Sequence, residues 1–268
     1  MHRIPRTLIA ILAVLVIAPR AARGQDRPFV FSLTTATDTS KPSVLVDYDI
    51  GFGEQAFRST EENGPEQRVG VQASVKRWTF LGRLGLTSSQ DTFQTSQQGE
   101  VLFSLLTPSS SSTGPMALAV GGGLLHEAAG VDVLLARVVA GRNFEQSRVH
   151  GNVLFQMPQS APERDAVDVI TSVGWSRRLN ATVSLGVEGI GEDLEGFWES
   201  EEAEGGARLL VGPSLHIAQP GRKWQLSIAG GPMFHPSDSQ RASGALRDLP
   251  ATTQKTGYAI RTSFACNF

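Results

Sequence analysis

The chain ends on Tyr258-Ala259-Ile260-Arg261-Thr262-Ser263-Phe264-Ala265-Cys266-Asn267-Phe268. Tyr258, Ile260, Thr262, Phe264, Cys266 and Phe268 fall on one face of an extended segment. Ala259, Arg261, Ser263, Ala265 and Asn267 fall on the other. A period of two over eleven residues is the mark of a strand with two chemically different faces. Eleven further segments repeat it, at roughly 43–53, 67–76, 78–88, 96–106, 115–125, 132–142, 147–156, 165–177, 180–190, 206–217 and 222–233. Each is close to the ~9–11 residues that a tilted membrane strand requires.

The alternation running to a terminal phenylalanine resembles the closing strand of bacterial outer-membrane β-barrels. In that family the last strand is also the address read by the barrel assembly machinery. The resemblance implies an all-β, transmembrane, antiparallel up-and-down barrel of about twelve strands, in the outer membrane of a Gram-negative type envelope, with both termini periplasmic. It implies outer-membrane lipid and the assembly machinery as partners.

The N-terminus agrees with export. Arg3 and Arg6 precede an apolar run from Leu8 to Ala18, and Ala22-Arg23-Gly24 offers small residues at a cleavage point. This reads as a secretory signal peptide over 1–24, too short for a membrane helix. Residues 25–42 form a periplasmic or lumen-tucked lead, with Phe29, Phe31 and Leu33 sharing a face, and 43–268 form the barrel. Removal of the signal takes four arginines and no acid, which carries the formal charge from −2 to −6 and argues against nucleic acid as a partner. The one cysteine, Cys266, has no partner for an internal disulfide. No later segment holds the ~20 consecutive apolar residues of a membrane helix, so a membrane crossing has to be made by a closed barrel.

The two parities differ in kind. Val44, Val46, Tyr48, Ile50 and Phe52 begin an apolar row that continues through the later strands and is expected to be free of charge. The opposite row carries Asp47, Asp49, Arg83, Glu100, Arg137, His150, Asp168, Glu188, Arg208, His216 and Arg261. A Lys or Arg facing lipid at mid-membrane costs ~2–4 kcal/mol, so the polar row should line a lumen. Trp78, Trp175 and Trp224 lie on the apolar parity, each beside a tight turn, and Phe268 joins them. Such a collection at one level reads as an aromatic belt at a membrane interface.

The connections alternate in length. Lys76-Arg77, Arg178-Leu179 and Gln219–Arg222 read as tight turns. Glu54–Gln67, Thr87–Ser96, Gly191–Gly206 and Phe234–Thr256 read as long polar loops, and Ser-rich Thr107–Gly114 stands where a tight turn is due. Pro213 inside its strand predicts a bulge. Distance from the Arg178-Leu179 turn places Asp168 and Glu188 level, with Arg208 close by. Arg83 with Glu100, and Arg261 with Asp49, are expected at similar heights, which suggests charge-paired ladders.

Catalytic signals are sparse. His235-Pro236-Ser237 resembles the His-x-Ser pair of outer-membrane lipases, but on this strand both side chains point away from lipid. No G-x-S-x-G, H-E-x-x-H or C-x-x-C motif occurs. His126, His150, His216 and His235 lack metal-ligand spacing. Gly121-Gly122-Gly123 lacks the helix and lysine of a phosphate loop and suits a bend in the wall, or space opposite a bulky lumen residue. The acidic stretch Glu192–Glu204 reads as a solvated loop. No catalytic, cofactor or metal residue is therefore assigned. The sequence points to a narrow, polar-lined channel for small solutes. A non-conducting structural or surface-recognition barrel and a membrane-embedded lipid hydrolase are the alternatives.

Overall fold

The computed structural model describes residues 27–35, 41–53, 66–89, 92–107, 116–127, 130–159, 166–198, 207–235 and 256–268. Twelve strands run in chain order: β1 (Ser43–Gly53), β2 (Glu66–Val75), β3 (Trp78–Ser89), β4 (Thr92–Leu106), β5 (Ala117–His126), β6 (Asp132–Asn143), β7 (Ser147–Gln159), β8 (Asp168–Arg178), β9 (Val183–Glu192), β10 (Arg208–Ile217), β11 (Trp224–Phe234) and β12 (Thr256–Asn267). Each pairs antiparallel with its sequence neighbours, and β12 closes on β1 from Leu45↔Asn267 to Gly53↔Ala259. Phe268 extends that seam, its amide donating to the Val44 carbonyl at 2.8 Å. Closure leaves no free strand edge, which is what allows a sheet to sit in hydrocarbon.

The outward row is apolar and exposed along the barrel, from Tyr48, Val69 and Phe80 through Val101, Leu134, Val173 and Leu185 to Phe264. It is not wholly free of charge. Asp132, Arg142 and Arg177 lie on it, all at strand ends, where they reach water at the rims instead of crossing lipid. Asp132 accepts a 2.7 Å contact from His126, and the Arg142 guanidinium lies 5.3 Å over the Phe144 ring. Trp78, Trp175 and Trp224 are 37–48 % exposed on the same outer face. Trp78 packs against Phe103, with ring centroids 4.9 Å apart, and Lys223 sits 5.8 Å over the Phe268 ring.

The connections depart from the sequence reading in two places. Lys76-Arg77 is the whole β2–β3 turn, with Lys76 in the left-handed region (φ 54), and Arg222 donates to the Gln219 carbonyl across a turn whose Gly221 has φ 77. Thr87–Ser96, in contrast, is no loop. The β3–β4 ladder continues to Ser89↔Thr92, since its Thr-rich run is well suited to extended pairing. The β8–β9 connection is longer than Arg178-Leu179. Asn180 accepts from the amides of Thr182 and Val183 at 2.8 and 2.9 Å, an Asx turn that delays β9 until Val183.

Pro213 produces no bulge. Pairing of β10 with β11 lapses around it and resumes in the same register, Leu210↔Met233 and Ser214↔Ala229. Gly212 allows the neighbouring strand so close that a Cβ there would lie 1.9 Å from the Gly230 carbonyl oxygen. A bulge occurs instead between Ser104 and Leu106, before the Ser-rich connection. Of that connection, residues 108–115 lie outside the described residues.

Candidate functional site

The barrel interior is where the polar side chains converge. Asp47, Asp49, Glu100, Arg137, His150, Asp168, Glu188 and His216 are all buried, while Arg83, Arg208 and Arg261 are half-buried. Their partners are set by register. The Asx turn shifts β9 so that Glu188 faces Gly174 and Glu192 faces Ile170. Asp168, Glu188 and Arg208 therefore do not form one level. Arg208 stands opposite Glu192 and donates to it through Nε at 3.0 Å. Asp168 lies opposite Gln156 on β7.

Arg83 and Glu100 do lie near one another in height, with Glu100 opposite Leu81, but the close cation is Arg137. Its Nε and terminal nitrogen donate to the two Glu100 oxygens at 2.7 and 2.8 Å, a bidentate pair. Arg137 is on β6 and Glu100 on β4, so the side chain spans β5, about two strand spacings of ~4.8 Å. The glycine triplet makes the crossing possible. Gly121 stands opposite Arg137 and Gly123 opposite Glu100, and a Cβ on Gly123 would lie 2.8 Å from Glu100 Cα.

Arg261 stands opposite Gly51 and pairs with Glu66 at 3.1 Å, not directly with Asp49. Arg68, on the lumen parity of β2, lies 3.5 Å from Glu66 and 3.9 Å from Asp49. The same alternation that marks Gln72 and Ser74 as inward reaches Arg68.

The N-terminal lead occupies the lumen. Residues Arg27–Thr35 are almost wholly buried, Phe29 completely so. Arg27 pairs with Asp47 and, at 3.2 Å, with Asp49. Its amide donates to Gln225 at 2.9 Å, and its carbonyl accepts from Ser227 at 2.9 Å. Glu188 accepts the amides of Val30 and Phe31 at 2.9 and 2.8 Å. Asn152 grips Leu33 twice, accepting from its amide at 2.8 Å and donating to its carbonyl at 3.1 Å. Gln72 donates to the Thr34 carbonyl at 3.0 Å. Phe29 stacks 5.6 Å from His150 and fills the space left by Gly174, where a Cβ would lie 2.4 Å from its ring. The wall thus satisfies the main chain of an irregular segment, bent at Val30–Ser32, that has no strand partner, as burial requires.

Two cavities open in the barrel, the first of them against this lead. One, of about 110 Å³, lies on the loop side and is lined by Arg27, Arg68, Arg83, Arg137 and Arg261 together with apolar and neutral side chains. Among the described residues no carboxylate lines it. The acids that pair with these arginines lie behind them in the wall. The second, of about 260 Å³, opens at the short-turn end, beside Arg148, Arg178 and Arg222.

Beyond the arginines the lumen has an apolar side that parity alone does not foretell. Val133, Leu135, Leu154, Ile170, Ile190, Leu210, Met233 and Ala259 form one buried cluster, with Phe31 and Leu125 packed against it. His216 bonds Ser227 at 2.8 Å. Of the His235-Pro236-Ser237 stretch, His235 directly follows β11 and residues 236 and 237 lie outside the described residues. Among the described residues no three His, Cys, Asp or Glu side chains gather as a metal site.

No protein-family model matches the chain, and neither does any curated protein. Solved structures do. The KdgM porin in complex with disordered oligogalacturonate is similar over 84 % of this chain and 99 % of its own, with TM-score 0.56 at 8 % identity. The NanC porin is similar over 82 % and 98 %, with TM-score 0.53 at 10 % identity. The shared feature is the fold, a closed antiparallel β-barrel like that of these porins.

Proposed function

We propose that the protein is a narrow channel for small solutes, held closed in this structure by its own N-terminal lead. The observation that carries the reading is the burial of Arg27–Thr35 inside the barrel, with one lumen cavity against the lead toward the loops and another at the short-turn mouth. The lead is tied to the wall by hydrogen bonds and two ion pairs, with no covalent link, so its release would join the cavities. The arginine lining of the loop-side cavity favours anions over cations there. The oligogalacturonate in the similar KdgM porin is itself an acidic saccharide, and it adds support to an anionic solute class.

The same lead also gives weight to a second reading, a barrel that never conducts. Planar-bilayer recordings separate the two. Deleting residues 27–35 should raise unitary conductance several-fold over wild type. Absence of conductance in both proteins, with folding verified by heat-modifiable gel mobility, would establish the sealed barrel and end the channel proposal.

A further inference from the structure

We propose that the 110 Å³ lumen cavity is a binding site for a small organic carboxylate with an apolar body, such as an aryl or branched aliphatic acid. The inference refines the solute class of the channel proposed above and takes its access route from that reading.

The cavity has two chemically distinct sides. Arg68, Arg83, Arg137 and Arg261 present guanidinium groups from the wall, with Arg27 from the lead beside them. Leu154 is the cross-strand neighbour of Arg137 and is followed around the wall by Ile170 and Ile190, members of the buried apolar cluster, while Phe31 packs against that cluster and carries the Arg261 guanidinium 5.5 Å over its ring. Guanidinium groups bind a carboxylate through parallel N–H donors, and more than one is in reach here. The apolar side rewards removal of hydrocarbon from water.

The two sides together exclude neighbouring ligand classes. A sugar acid would satisfy the arginines, yet would lay hydroxyl groups on Leu154, Ile170 and Ile190, where they would lose water without gaining partners. Inorganic phosphate would leave the apolar side unused. A neutral aromatic would leave the arginines without an anion.

Benzoate is the probe, measured at pH 7 by saturation-transfer NMR and calorimetry on the full mature barrel in detergent. Arg83 is the residue to change, because among the described residues no carboxylate pairs with it. Benzoate should bind at least tenfold more tightly than glucuronate or benzyl alcohol, and Arg83→Gln should weaken it about tenfold. Ile190→Thr should narrow the gap between benzoate and glucuronate. The Arg83→Gln protein in the same micelles controls for partitioning into detergent, and gel mobility verifies both variants as folded.

Equal binding of benzyl alcohol, tighter binding of glucuronate, or indifference to Arg83→Gln would each overturn the assignment. Conductance is read separately. Benzoate binding in a barrel that never conducts would sink the channel and leave the site standing. Conductance without benzoate binding would do the reverse.

Discussion

The two sides of the lumen wall obey different rules. On β1 to β4, joined by Arg137 of β6 and Arg261 of β12, a network of interlocked charges lies beside buried Leu81 and Leu102: Glu66 between Arg68 and Arg261, Asp49 beside Arg27 and Arg68, Glu100 clasped by Arg137. On β6 to β11 the inward residues of the loop-side half include the packed Val133, Leu154, Ile170, Ile190, Leu210 and Met233, with Asp168 and the Arg208–Glu192 pair beyond them at the strand ends. The outer surface shows no such division, being apolar around the whole circumference. Lipid imposes one chemistry on every strand, whereas an enclosed lumen accepts either a satisfied ion pair or a packed hydrocarbon. The lead respects the difference, sending Arg27 to the acids and Phe31 to the apolar cluster.

Removing Arg137 tests the charged side most severely. Glu100 is only 3 % exposed, so Arg137→Ala should cost about 3–5 kcal/mol in urea unfolding from lipid vesicles, as expected for a buried acid stripped of its cation. The double variant Arg137→Met with Glu100→Leu should recover most of that. A single-variant loss below ~1 kcal/mol would mean that water reaches Glu100 and that the two sides differ less than drawn.

On the apolar side, Leu210 is fully buried, and Leu210→Ala should cost about 2–5 kcal/mol in the same assay. A near-neutral result would show that water already fills this half of the lumen. The smallest effect is expected where the lead meets the wall. Asn152→Ala unpairs the amide and carbonyl of Leu33, a loss of roughly 1–3 kcal/mol of docking energy, and should raise channel opening frequency without altering open-state conductance. Changed open-state conductance instead would place Asn152 on the permeation path and not merely on the latch.

Much of the architecture was legible because alternation has a strict period and a hydrocarbon solvent on one side. The inward or outward sense of Asp47, Glu100, Glu188 and the three tryptophans follows from counting by twos. Heights followed less well, since one Asx turn at Asn180 moves every β9 partner together. That single turn moves Glu188 to the level of Gly174, away from Asp168 and Arg208, and gives Arg208 to Glu192.

The sequence by itself determined the export signal expectation, the strand count, the inward and outward rows, and the aromatic level at the short-turn end. All of these depend on neighbours along the chain and on the solvent each face meets. Tertiary structure alone decided which Arg meets which acid, that Gly121 and Gly123 open a path across β5, and that Arg27–Thr35 lies inside the barrel. Those outcomes depend on turn length and closure, which bring together residues such as Arg27 and Ser227 that share no local pattern. A chain written as twelve alternating strands fixes the sides of a wall, and only the closed ladder fixes what stands across the lumen from what.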